Sequence, residues 1–149
     1  MTYISKSSIN VIAILLSLIG SISITYAEEP KKETPLTISG TTKVNAEGIF
    51  ELLEKAPDTT IIDARISSDR IQGYIEGSIS LPDVDTNCSS LKQVVPSLTA
   101  PVLFYCNGVK CGRSGNAAEI AVKCGYNNIY WFRGGFEEWK AKNLPFLKG

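Results

Sequence analysis

Short apolar runs alternate along this chain with amphipathic stretches, and the alternation predicts an α/β fold. The run Val102–Tyr105, which is β-branched and aromatic and follows a proline, is typical of a strand buried on both faces. Residues 60–62 repeat the pattern and end at Asp63. Shorter strands are predicted over residues 36–39, 78–81 and 128–131.

Helical periodicity fills the segments between these strands. Asn45 is the predicted N-cap of a first helix, which Pro57 ends. The apolar face of that helix consists of Ile49, Leu52, Leu53 and Ala56. Further helices are predicted over residues 91–98, 114–123 and 136–142. Because strands that alternate with helices are joined by right-handed crossovers, we expect a central, mostly parallel sheet with helices on both faces.

The amino terminus has the pattern of a targeting segment. Lys6 supplies positive charge, residues 9–24 are largely apolar, and Ala27 ends a stretch that a signal peptidase can cleave. We expect a signal peptide over residues 1–27, a flexible linker over 28–36, and a periplasmic or secreted protein with no stable membrane association after cleavage. An uncleaved membrane anchor is the alternative.

Composition narrows the functional classes. The chain has 149 residues, 44% of them hydrophobic and 20% charged, which suits one globular domain. Fifteen basic and fifteen acidic residues cancel, so nothing indicates a nucleic-acid partner. Histidine is absent, which removes the usual general base and the usual metal ligand. Any catalysis must therefore use a nucleophile that activates itself, and the four cysteines lack the paired spacing of a zinc site.

Cys106 is the main candidate for chemistry. It follows the central apolar run, and a glycine-containing loop over residues 107–112 leads from it into a predicted helix. Backbone N–H groups of such a loop can form a pocket for negative charge, and Lys110 and Arg113 add positive charge. We expect this setting to favour a Cys106 thiolate. The alternative is a small buried residue that ends a core strand.

The segment that starts at Asp63 resembles the first signature of the rhodanese-like family. The positions in register with that signature are Asp63, Arg65, Asp69, Gly73, Ile75, Gly77 and Pro82, whereas Tyr74 and Glu76 replace the family's usual His and Pro. The closing pattern of the family is matched by Gly125, Ile129, Gly134, Gly135, Trp139 and Pro145. The resemblance covers about residues 37–147 and implies a rhodanese-like three-layer sandwich.

The resemblance implies sulfur transfer without a metal or an organic cofactor. Cys106 would take the outer sulfur of a small anionic donor such as thiosulfate as a persulfide, and would pass it to cyanide or a thiol. The residues expected to bind the donor are Asn107, Gly108, Val109, Lys110, Cys111, Gly112 and Arg113. Six residues separate Cys106 from Arg113, two more than in ordinary members, so the wider loop leaves open another oxyanion as substrate.

Two other functional classes remain at this point. A non-enzymatic rhodanese-like module would bind a partner or carry sulfur passively, although the presence of Cys106 weighs against it. A thiol redox protein would use Cys106 together with Cys111. Cys111 is predicted to be a resolving cysteine that protects Cys106 from overoxidation or discharges its persulfide, and a thioredoxin-like reductase would reset the pair. The alternative is that Cys111 only packs at the base of the loop.

The remaining residues have structural interpretations beside functional ones. Cys88 and Cys124 bring the expected mature chain to four cysteines, which allow three disulfide pairings. For Cys124 we favour a buried position at a helix end. For Asp63 and Arg65 we favour a structural ion pair over a role in tuning the field of the pocket.

Overall fold

Five parallel strands form one sheet in the computed structural model, which describes residues 34–149. The strands are β1 (Thr42–Val44), β2 (Thr60–Asp63), β3 (Ile79–Ser80), β4 (Val102–Tyr105) and β5 (Ile129–Phe132), in the spatial order β1-β5-β4-β2-β3. The central strand, β4, pairs with β2 and β5, and all four of its residues are buried. The prediction that this run is a strand buried on both faces is therefore confirmed.

Helices connect the strands and cover both faces of the sheet. They are α1 (Ala46–Lys55), α2 (Ser67–Arg70), α3 (Cys88–Val94), α4 (Arg113–Lys123) and α5 (Gly135–Ala141), with a short 3-10 turn at Asp83–Asp85. The side chain of Asn45 caps α1 as predicted, because its Oδ1 accepts the Gly48 N–H at 2.9 Å.

The core has two parts, one on each face of the sheet. Since neighbouring strand residues point to opposite faces, Phe104 packs beneath α3 and α4, whereas Leu103 packs beneath α1 and α5. The predicted fold class, an α/β sandwich with a parallel sheet between helices, is confirmed.

The structure corrects two predicted elements near the edges. No strand forms over residues 36–39. There the chain turns at Gly40, whose φ is +81°, and β1 follows at Thr42–Val44. The helix predicted over 91–98 instead runs over Cys88–Val94, so Leu98 lies outside it and is 48% exposed.

A disulfide joins Cys88 to Cys124, with the two Cα atoms 5.4 Å apart. Cys124 lies at the end of α4 as expected, but it is half-buried rather than buried, and it is covalently linked to the first residue of α3. The sequence separation of 36 residues gave no sign of this proximity. The bond ties α3 to the end of α4.

The expected signal peptide and most of the expected linker lie outside the described residues. Thr34 already packs against the domain, because its side chain is buried and hydrogen-bonds to Val109. The folded domain therefore includes a residue that lies three positions before the expected start at 37. Among the helices of residues 34–149, none combines the length and the apolar character needed to cross a membrane.

Candidate active site

Residues 106–112, here called the reactive loop, follow β4 and lead directly into α4. The beginning of α5 holds the start of this loop. The carbonyl oxygens of Cys106 and Asn107 accept the N–H groups of Phe136 and Glu137 at 2.8 and 2.7 Å. The first helical residue of α5 is Gly135, which has a φ of +58°, and a Cβ added there would lie 2.3 Å from the Cys106 carbonyl oxygen. Only glycine permits this approach.

The other side of the reactive loop is held by the segment that precedes β1. The Thr34 hydroxyl donates to the Val109 carbonyl oxygen at the crest of the loop. The Arg133 guanidinium in turn donates to the carbonyl oxygens of Thr34 and Pro35, at 3.3 and 2.8 Å. We call the contacts of Thr34 with Val109 and Arg133 the clasp. The loop is thus supported by α5 on one side and by the clasp on the other.

Cys106 lies at the floor of the loop and is only 1% exposed. Its Sγ accepts a hydrogen bond from the Ser114 hydroxyl at 3.1 Å, and that hydroxyl accepts one from the Trp131 indole N–H at 3.0 Å. The Cys106 thiol donates to the carbonyl oxygen of Cys111 at 3.0 Å. Sequence reasoning missed Ser114, although its position in the first turn of the following helix was a usable signal.

The surroundings of the two thiols shift their pKa values in opposite directions, and the structure reverses the expectation for Cys106. Hydrogen bonding to Cys111, together with burial, raises the pKa of the Cys106 thiol. The hydrogen bond from Cys106, the backbone N–H groups of Asn107 and Arg113, and the Arg113 charge lower the pKa of Cys111 to about 6 against the opposing effect of burial. The loop therefore favours a thiolate on Cys111 and a neutral thiol on Cys106.

Arg113 faces two carboxylates rather than an open pocket. Its guanidinium lies 3.0 Å from Asp69 and 3.9 Å from Asp83. Asp69 also accepts the side-chain N–H of Asn107 at 2.8 Å, so these residues form one polar cluster beside the loop. The expected donor-binding residues are consequently divided, because Lys110 is exposed at the crest whereas Arg113 and Asn107 are engaged with the protein.

Asp63 and Arg65 form a buried network beneath this cluster. Arg65 donates to both Asp63 carboxylate oxygens, at 2.9 and 2.7 Å, and Arg70 and Tyr105 also donate to that carboxylate. Burial alone would raise the pKa of Asp63, but the hydrogen bonds and the charge of Arg65 bring it below its usual value. Arg65 reaches the loop only through the Asn107 side chain, at 3.4 Å. These contacts favour the structural interpretation of the pair.

The sheet order, the cysteine at the end of the central strand and the loop that follows it define a rhodanese-type fold. A profile of the Rhodanese-like domain family matches residues 48–142, more than half of the chain. The protein therefore belongs to the rhodanese-like family, as the motifs around Asp63 and Gly134 indicated.

Relatives and solved structures agree with this assignment. The uncharacterized protein YibN of Escherichia coli is 25% identical over 114 residues, which cover 76% of this chain and 78% of YibN. A crystal structure of BH2092 from Bacillus halodurans matches with a TM-score of 0.64 and 20% identity, over 72% of this chain and 77% of that one. A structure described as rhodanese with anions from E. coli matches with a TM-score of 0.52 and 27% identity, over 61% of this chain and 99% of that one.

Proposed function

We propose that this protein is an exported sulfurtransferase that carries sulfane sulfur on Cys106. The donor is a small anion such as thiosulfate, and the acceptor is a thiol or cyanide. The observation that carries the proposal is the position of Cys106. It lies at the carboxyl end of the central parallel strand, where α/β sheets bind their ligands, and its Sγ accepts a hydrogen bond from Ser114 in the first turn of α4.

Cys111 supplies a proton acceptor beside Cys106 in a chain that has no histidine. When Cys106 attacks the outer sulfur of thiosulfate, its proton passes to the Cys111 thiolate, whose lowered pKa makes it the nearby proton acceptor. The new bond joins Cys106 Sγ to the outer sulfur, the sulfur–sulfur bond of thiosulfate breaks, and sulfite leaves with the bonding electrons. Cys106 is left as an anionic persulfide, and Cys111 as a thiol.

Positive charge at the loop draws the donor to this position. Lys110 is exposed at the crest and attracts an anion by long-range electrostatics. Arg113 is one-third exposed, and a bound anion can share its guanidinium with Asp69. The ordinary salt dependence of such contacts predicts weaker donor binding at high ionic strength.

Intact-mass measurement after mixing with thiosulfate tests the proposal. We expect sulfite release from the wild type and none from Cys106→Ser. A Cys88→Ser/Cys124→Ser double variant is the matched control, because it also loses cysteine sulfur but retains the reactive loop, and it should still release sulfite. Equal sulfite release from Cys106→Ser and the wild type would refute the role of Cys106.

Export is the second part of the proposal. The Cys88–Cys124 disulfide supports it, since structural disulfides persist mainly in oxidising compartments. Amino-terminal sequencing of the protein from a cell fractionation should give a chain that starts at Glu28. Recovery of the full-length chain from the cytoplasm would contradict export.

A further inference from the structure

The reactive loop folds back so that its second cysteine lies against its first. The N–H of Cys111 donates to the Gly108 carbonyl oxygen at 2.8 Å, which reverses the chain direction. The Cys111 carbonyl oxygen then accepts the thiol of Cys106 at 3.0 Å. Five residues along the chain, Cys111 thus returns to the sulfur atom from which the loop began.

The loop also acts on the thiol of Cys111. The side chain of Cys106, the backbone N–H groups of Asn107 and Arg113, and the Arg113 charge lower the pKa of that thiol to about 6, against the opposing effect of burial. Cys111 is half-buried, whereas Cys106 is 1% exposed. An external acceptor thiol would have to enter the loop to reach the buried Cys106, whereas the loop reversal already places the Cys111 backbone against the Cys106 sulfur.

We infer that Cys111 discharges the Cys106 persulfide internally, which gives this loop a sulfide-releasing activity beyond sulfur transfer to an external acceptor. The inference rests on the proposed function, because it needs the persulfide as its starting point. The product at the protein is a Cys106–Cys111 disulfide. The structure holds both as free cysteines, separate from the Cys88–Cys124 bond.

The discharge step balances without a further reagent. After its proton has left, Cys111 attacks the inner sulfur of the persulfide, which is Sγ of Cys106. The bond between Sγ and the outer sulfur breaks, and the outer sulfur leaves with the electron pair and that proton as hydrosulfide. From the singly ionised pair, one thiosulfate gives one sulfite, one hydrosulfide and one protein disulfide. Two cysteine sulfurs are oxidised and the transferred sulfur is reduced.

Proximity favours this route over an external thiol. A nucleophile held in contact reacts as if it were present at a very high effective concentration, provided that its geometry is close to that of attack. The loop already holds the two cysteines together through the reversal at Gly108. Repeated turnover requires a dithiol reductant, which resets the disulfide by thiol–disulfide exchange.

A single-turnover experiment tests the inference. The full mature protein is reduced, freed of reductant without air, and mixed with thiosulfate, after which sulfite, sulfide and protein mass are measured. For the wild type we expect sulfide equal to sulfite, a mass loss of two hydrogens, and a Cys106–Cys111 link in the peptide map. For Cys111→Ser we expect sulfide release to be lost. Each protein molecule that has released one sulfite should instead keep the mass of one added sulfur atom.

The outcomes separate this inference from the proposed function. Wild type that releases sulfite, keeps the added sulfur and forms no disulfide would overturn the internal discharge and leave sulfur transfer intact. Absence of sulfite from the wild type would refute the proposed function and the inference with it. Since serine can alter the loop, Cys111→Ala provides a second variant, and sulfide from either variant at the wild-type yield would also overturn the inference.

Discussion

Replacing both Cys88 and Cys124 by serine should destabilise the protein mainly through its unfolded state. The bond closes a segment of 36 residues, and in the chain-entropy model a closed loop of that length stabilises the fold by about 4 kcal/mol at 25 °C. Cys88 is exposed and Cys124 is half-buried, so the substitutions remove little packing. The loss is large against the roughly 5–15 kcal/mol of a typical domain.

Urea unfolding followed by tryptophan fluorescence measures this loss. With a slope of about 1–2 kcal/mol per molar urea, the midpoint of the double variant should fall by about 2–4 M, with the slope little changed. Reductant should lower the wild-type midpoint by a similar amount. The double variant provides the control, because it retains Cys106 and Cys111 and should not respond to reductant.

Two results would refute this reasoning. If the double variant in the absence of reductant unfolds at the wild-type midpoint, the bond does not stabilise the fold. If reductant shifts the wild type and the double variant equally, the effect arises at the reactive loop and not at the bond between α3 and α4.

Three further predictions concern the loop and the network beneath it. Gly135→Ala should destabilise the protein by about 1–3 kcal/mol more than Gly77→Ala in urea unfolding, and equal losses would contradict this. Both glycines have positive φ, but only at Gly135 would an added Cβ lie 2.3 Å from a carbonyl oxygen. Asp63→Asn should lower the free energy of unfolding by about 3–5 kcal/mol, because buried Arg65 loses its counter-charge. Since folding lowers the pKa of Asp63, this loss should shrink as pH falls through the lowered pKa, and a loss that does not depend on pH would contradict the prediction. Alkylation of Cys111 by iodoacetamide, located by peptide mapping, should rise with pH around 6 and level off above about pH 7; a rise that continues toward about 8.5 would indicate an ordinary thiol.

Local sequence signals predicted the elements that position the site. Asn45 and Pro57 mark the limits of α1 because capping and helix termination depend on neighbouring residues. The run Val102–Tyr105 identified the central strand because only a strand covered on both sides is apolar at every position. The position of β1 was not predicted, because an edge strand of three mostly exposed residues has no such apolar pattern.

The partners of the reactive groups could not be predicted, because they depend on contacts between distant segments. Arg113 was expected to face an anionic donor, whereas Asp69, 44 residues away along the chain, pairs with it. The same limit applies to Cys124 and its bond to Cys88. The five-residue spacing did predict that Cys106 and Cys111 lie close together. It could not show which of the two thiols has its pKa lowered by the loop's N–H groups.

The clasp formed by Thr34 and Arg133 affects how the smallest working unit of this protein should be chosen. The family match begins at residue 48, so a fragment trimmed to it would omit Thr34, all of β1 and the Asn45 cap. The Val109 carbonyl would then lose its partner at the crest of the reactive loop. Activity measured on such a fragment would describe a loop released on one side, so assays should use a chain that retains residue 34 and its neighbours.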